Sequence, residues 1–137
     1  MSKILWVEDD DEHFEVYSYY LKKDYDIKHV STYKEAVEEI NTNEYDLIII
    51  DILLPSGQHL NDIEMITNVQ KVFFGIELLT KQLSKYKGKI IILTIVNEQQ
   101  ILSDIRAFNN NIPIITKYDT SPKEVNSIIR IFLGTLS

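Results

Sequence analysis

The chain predicts an α/β domain: a parallel sheet, doubly wound, with helices on both of its faces. Three observations carry this. Short apolar runs alternate with stretches of helical periodicity along the whole sequence, which is the pattern of strands joined by crossover helices. The run YDLIIID, residues 45–51, is apolar on both faces, as a strand at the centre of a parallel sheet has to be. Helix start signals stand between the runs, at Thr32 with Glu35 and at Ser121-Pro122 with Glu124.

The elements follow in order. KILWV (3–7) is a short apolar run ended by acids and reads as a buried first strand. DEHFEVYSYYLKK (11–23) places Phe14, Tyr17 and Leu21 at helical spacing. YDIKHV (25–30) is a second, less apolar strand. STYKEAVEEINTN (31–43) opens on a capping box, and Tyr33, Ala36, Val37 and Ile40 share one face of its helix. YDLIIID is the third strand and KIIILTIV (89–96) the fourth. NEQQILSDIRAFNN (97–110) is helical, with Ile101, Leu102, Ile105 and Phe108 as its apolar stripe. IPIIT (112–116) is the fifth strand. SPKEVNSIIRIFL (121–133) is the last helix, with Ser121 as N-cap and Pro122 at its first position.

Bulk properties bound the function. The 137 residues, 45% of them hydrophobic, suffice for one domain with a proper core. A net charge of -7 argues against non-specific binding to nucleic acid or to an anionic membrane. The absence of cysteine excludes disulfides and thiol catalysis, and suits a reducing compartment. The N-terminus turns acidic too soon for a signal peptide. No apolar run approaches the roughly 20 residues of a membrane helix.

Asp51 sits inside LIIIDILLP, where an unpaired carboxylate would be costly. In open α/β sheets ligands bind beyond the carboxyl ends of the strands. Those ends carry Glu8 and Asp9 after the first strand, Asp51 after the third, Thr94 after the fourth and Lys117 after the fifth. Gathered on one edge, the three carboxylates repel one another, and a hard divalent cation such as Mg2+ removes that repulsion. Lys117 adds a fixed positive charge and Thr94 a hydroxyl donor. Together these describe a phosphoryl site with Asp51 as a carboxylate nucleophile that forms an aspartyl-phosphate.

The pieces ILWVEDD, LIIIDILLP, IILT and IITK, in that order, make the chain resemble a response-regulator receiver domain of two-component signalling. The resemblance spans nearly the whole chain, read as a single receiver domain over residues 1–137. It implies a flavodoxin-like (CheY-like) five-stranded parallel sheet of order 2-1-3-4-5. It implies Asp51 as phosphoacceptor, with Thr94 and Lys117 contacting the phosphoryl group. It implies Mg2+ held by Asp9 directly, by Glu8 mostly through water, by Asp51 and by the backbone carbonyl of Leu53. The implied partners are a histidine kinase or phosphotransfer protein and an output protein, with no nucleic acid or membrane bound directly. The implied setting is the cytoplasm, as a monomer or a phosphorylation-dependent dimer. The implied role is a signalling phosphoacceptor rather than an enzyme.

Each residue alone has a plainer reading. VEDDD could serve only as a helix N-terminus, where acids favour the dipole, and Asp10 and Asp11 are read that way. A lone lysine after a strand is usually surface, and a lone threonine usually a strand residue. It is their co-occurrence at four strand ends that favours a site. His13, His29 and His59 lack metal-ligand spacing and read as ordinary surface or partly buried residues. The tyrosines of YSYY read as core and helix-face residues, and Gly57 near Pro55 as a turn.

The sequence also departs from the family pattern. Receivers usually have a glycine about four residues after the proline of the third-strand loop. Here Gly75, in GIELLTKQL, lies twenty residues after Pro55, so an insertion over about 56–74 is expected beside the site, with Ile63, Ile66, Val69 and Phe73 at helical spacing. Ile95 stands where a small residue is usual, Tyr118 where proline is usual, and Ile114 where the family's aromatic switch residue is usual. These three residues favour an alternative, an atypical receiver that binds proteins without phosphorylation. A third reading is a Mg2+-dependent phosphatase with an aspartyl intermediate. It meets the difficulty that such enzymes place the nucleophile after the first strand with a second aspartate two residues on, whereas residue 53 is leucine.

Overall fold

The computed structural model describes residues 1–54, 74–84, 86 and 88–134. The elements are β1 (Lys3–Val7), α1 (Asp11–Ser18), β2 (Asp26–Val30), α2 (Tyr33–Thr42), β3 (Leu47–Ile50), α3 (Phe74–Glu77), β4 (Lys89–Thr94), α4 (Gln99–Phe108), β5 (Ile114–Thr116) and α5 (Pro122–Leu133). A π-helical turn over Leu78–Gln82 continues α3. The strands form one sheet, all parallel, in the order β2-β1-β3-β4-β5. The predicted fold and strand order are therefore the observed ones.

Period-two alternation splits the strands between two apolar layers. Leu5, Val7, Ile48, Ile50, Ile90 and Ile92 face Ala36 of α2, Leu78 and Leu79 of the π turn, and Leu102 and Ile105 of α4. Ile4, Trp6, Leu47, Ile49, Ile91 and Leu93 face Phe14 of α1 and Val125 and Ile129 of α5. All four residues of β3 are buried, because β1 and β4 flank the strand and helices cover both of its faces.

Local signals explain the helix ends. Thr32 accepts from the Glu35 amide, the N-cap half of the box expected at α2, while the Glu35 carboxylate accepts from the Thr32 hydroxyl and not from its amide. Ser121 and Glu124 do the same at α5, behind Pro122. Gly134 closes α5 at φ 71°, a left-handed conformation that side chains disfavour, and its amide reaches the Arg130 and Ile131 carbonyls.

Three expectations need correction. Helix α1 ends at Ser18 rather than near Lys23. The Ser18 hydroxyl donates to the Phe14 carbonyl at 2.6 Å, and the Leu21 amide then turns back onto the Ser18 carbonyl. Leu21 stays fully buried through that turn, but Tyr19 and Tyr20 fall outside the helix face and are exposed, their rings packed edge to face on each other. Phe108 ends α4 and is exposed, while Leu102 and Ile105 hold the buried stripe and Ile101 packs beside it. The expected insertion, including Ile63, Ile66, Val69, Phe73, Gly57 and His59, lies outside the described residues except for Phe74.

Candidate functional site

Parallel pairing in register brings four strand ends to one edge. Val7 pairs with Ile50, Ile50 with Ile92, and Thr94 with Thr116. The residues immediately beyond continue the ladder, with the Asp51 amide donating to the Val7 carbonyl at 3.1 Å and the Lys117 amide to the Thr94 carbonyl at 2.8 Å. Glu8, Asp51, Thr94 and Lys117 are thereby buried side by side, and Asp9 is exposed at the rim. These are the five residues singled out from the sequence.

Their side chains form one network. Asp51 Oδ1 accepts from the Thr94 hydroxyl at 2.7 Å and from the Leu53 amide at 3.1 Å. Asp51 Oδ2 accepts from Lys117 Nζ at 3.0 Å. Lys117 Nζ also donates to Glu8 Oε1, while Glu8 Oε2 accepts from the Asp10 amide at 3.2 Å. The aspartate in its aliphatic run is compensated, since among the described residues no buried side-chain polar atom lacks a partner. Asp10 caps α1 by accepting from the His13 amide at 3.0 Å, which is the helix-terminus role read for it.

The charges remain unbalanced. One ammonium faces the carboxylates of Glu8 and Asp51, with that of Asp9 at the rim. Burial, and then the Asp51 charge, push the Glu8 carboxyl up to about 7 despite its bond to Lys117. Burial works to lower the Lys117 ammonium, but the neighbouring Asp51 and Glu8 overcome it and hold it above the ordinary lysine value. Carboxylate oxygens of Glu8, Asp9 and Asp51 all lie within 4.8 Å of one another. This is a set of hard oxygen donors with surplus negative charge, so the residues present suit a small divalent cation.

A cavity of about 280 Å³ opens above the network, lined by Glu8, Asp9, Asp10, His13, Asp51, Leu53, Ile95 and Lys117. Leu53 and Ile95 make part of its wall apolar. Val96 turns away and packs with the α2 and α4 side of the core, where Ile114 also lies. Tyr118, beside Lys117, is exposed. Gly75 lies against the main chain at Asp51 and Ile52: its amide donates to the Ile52 carbonyl at 3.1 Å, and a Cβ there would fall 2.1 Å from the Asp51 carbonyl oxygen. In sequence Gly75 stands twenty residues after Pro55.

One lining residue escaped the sequence reading. His13 is part-buried, as expected, but its Nδ1 lies 3.1 Å from Lys117 Nζ and 4.0 Å from Glu8 Oε1. The available signal was position. A helix that starts just after a strand end carrying site residues holds its first turn over that end, and His13 is four residues after Asp9. His29 is also tied to the site, through Nε2–H to the Glu8 carbonyl at 2.7 Å, and stacks on Phe14 with ring centroids 3.9 Å apart.

Comparison with known proteins agrees with this geometry. The family model for the response regulator receiver domain matches residues 4–117. No curated protein sequence matches. Among solved structures, a receiver domain protein (CheY-like) from Methanospirillum hungatei is 21% identical, with a TM-score of 0.73 over 98% of this chain and 95% of that one. A two-component response regulator from Clostridium difficile is 22% identical, with a TM-score of 0.70 over 100% of both chains. The activated N-terminal receiver domain of a Klebsiella pneumoniae regulator is 24% identical, with a TM-score of 0.63 over 96% and 97%. No helix among the described residues is long and apolar enough to cross a membrane.

Proposed function

The chain belongs to the response regulator receiver domain family, and from that premise we propose that Asp51 is the acceptor of a phosphoryl group from a histidine kinase or phosphotransfer protein. The single observation that carries this reading is the convergence of the buried Asp51 with the Thr94 hydroxyl and the Lys117 ammonium beneath an open cavity. The output is contact with another protein, in the cytoplasm, and the domain takes in the whole chain.

The chemistry follows from the contacts. A carboxylate oxygen of Asp51 attacks phosphorus, and the bond to the donor nitrogen of a phosphohistidine breaks. The electron pair leaves with the imidazole, which takes a proton from solvent. The Thr94 hydroxyl and Lys117 ammonium, already bonded to Asp51, are the donors at hand for the oxygens of the transferred group, where charge is spread in the transition state. Glu8, Asp9, Asp51 and the Leu53 carbonyl are the groups proposed to hold Mg2+, which when bound would neutralise charge on the phosphoryl oxygens and the clustered acids. The network buries Asp51 with satisfied bonds, so the nucleophile is oriented before a donor arrives.

Intact mass measured after incubation with Mg2+ and either acetyl phosphate or a phosphorylated histidine phosphotransfer domain is the test. A gain of one phosphoryl group that disappears in Asp51→Asn is expected. No gain from either donor, or a phosphopeptide that maps to another aspartate, would overturn the assignment. Ile95 in the cavity wall and the fully bonded Lys117 favour the second reading, a receiver that binds its partner unphosphorylated, and that reading predicts no gain from any donor.

A further inference from the structure

Lys117 carries three N–H donors, and each has an acceptor: Glu8 Oε1, Asp51 Oδ2 and His13 Nδ1. Two of these acceptors are the carboxylates proposed to take part in cation binding and phosphoryl transfer. The third is neither. From this we propose that His13 is a positioning residue for Lys117, a neutral acceptor that keeps the ammonium in the cavity when the carboxylates are engaged elsewhere. The inference rests on the phosphoacceptor reading above.

Three features support it. An ammonium can only donate, so His13 must accept through Nδ1 and carry its proton on Nε2. In that tautomer Nε2–H is directed to the side of Asp10, whose Oδ2 lies 3.7 Å away. The His13 backbone is fixed by the Asp10 cap, so the ring starts from a rigid first turn of α1. One helical turn later, on the same face, the Tyr17 hydroxyl donates to the Lys117 carbonyl at 3.4 Å, and the Tyr17 ring meets the His13 ring edge on. Helix α1 therefore holds residue 117 at two points, its main chain and its ammonium.

The contribution of His13 differs from that of the acids. A cation or a phosphoryl group would draw Glu8 and Asp51 away from the ammonium. Imidazole at Nδ1 has no charge to be drawn, and its side chain is 40% exposed at the cavity mouth, so it can stay in place. Without it, the lysine side chain would regain rotamer freedom at the moment when its charge is needed on the transferred group.

The test compares wild type, His13→Leu (no acceptor) and His13→Gln (an acceptor retained) at pH 8. The rate of phosphorylation at saturating acetyl phosphate and Mg2+ should fall about tenfold in His13→Leu, one hydrogen bond's worth, with half-saturation by donor unchanged. His13→Gln should recover most of it. Nitrogen-15 spectra should show His13 protonated at Nε2, and the Lys117 ammonium hydrogens should exchange with solvent about tenfold faster in His13→Leu than in the other two proteins. Equal rates and equal exchange in wild type and His13→Leu, or a proton on Nδ1, would overturn the inference. Should wild type accept no phosphoryl group, the receiver reading fails by itself, and ammonium exchange still decides the role of His13.

Discussion

Replacing Lys117 by methionine keeps most of the side-chain volume and removes the ammonium that bonds Glu8 and Asp51. Glu8 and Asp51 are then left buried with no countercharge among the described residues. At about 3 Å and an effective dielectric near 20, each contact is worth roughly 5 kcal/mol of gross attraction. Much of that is offset by the cost of burying the ammonium, and breaking a buried pair typically costs a net of about 3–5 kcal/mol. A domain of this size has roughly 5–15 kcal/mol in total, so Lys117→Met should lower the melting temperature by on the order of 10 °C at pH 8 without divalent ions. At pH 5 the loss should be smaller, because Glu8, already pushed up to about 7, takes a proton and only the Asp51 carboxylate is left without its partner. The variant should also bind Mg2+ more tightly, since an ammonium no longer competes for the carboxylate oxygens. Urea denaturation at the two pH values, with and without Mg2+, measures the first effect, and calorimetry the second. Combining Lys117→Met with Glu8→Gln should restore part of the loss. An equal loss at pH 5 and pH 8, or weaker Mg2+ binding, would refute the charge argument.

Other expectations follow from the same contacts. In wild type without Mg2+, the Glu8 carboxyl is raised from its ordinary 4.5 to about 7, so the folded state favours the protonated form. Its contribution is full below 4.5 and is lost as pH rises through about 7, a fall of roughly 3 kcal/mol at most that Glu8→Gln should flatten in denaturation curves. Gly75→Ala would drive a Cβ to 2.1 Å from the Asp51 carbonyl oxygen and 2.6 Å from Ile52 Cα, both backbone. It should cost about 1–3 kcal/mol or more in urea, and an unchanged midpoint would disprove the close approach. The aspartyl-phosphate should be long-lived, because Leu53 and Ile95 give the cavity an apolar wall that cannot hold a hydrolytic water. Leu53→Asn should speed loss of the phosphoryl label about tenfold, one hydrogen bond to that water, whereas decay of the wild type within seconds would show that the wall does not protect the bond.

Much of the fold was legible because each strand is a short apolar run that stops at a polar residue. In a parallel sheet those stops gather on the edge where ligands bind, so Glu8, Asp9, Asp51, Thr94 and Lys117 stand out together in the sequence as a candidate site. What stayed illegible depended on contacts between distant segments or on the competition of side chains with the backbone. Periodicity carried α1 past Ser18, because Leu21 keeps the helical rhythm even though the chain reaches its buried position through a turn. Tyr19 and Tyr20 were misplaced for the same reason. Phe108 fits the stripe of α4 but is the helix's last residue, where little core remains to cover it. The place of His13 beside Lys117 joins residues 104 apart in sequence, and no spacing rule encodes that.

The hydrogen bond between Gly75 and Ile52 has a thermodynamic consequence. It ties the second residue of α3 to the main chain two residues past the end of β3. The bond joins residues 23 apart in sequence, so forming it from the unfolded chain carries a loop-closure cost. Such a cost grows only with the logarithm of length, on the order of 0.6 kcal/mol for each doubling. A change in the number of residues between Ile52 and Gly75 would therefore cost the closure of this contact little, and Asp51, one residue before Ile52, would keep its place at the end of β3.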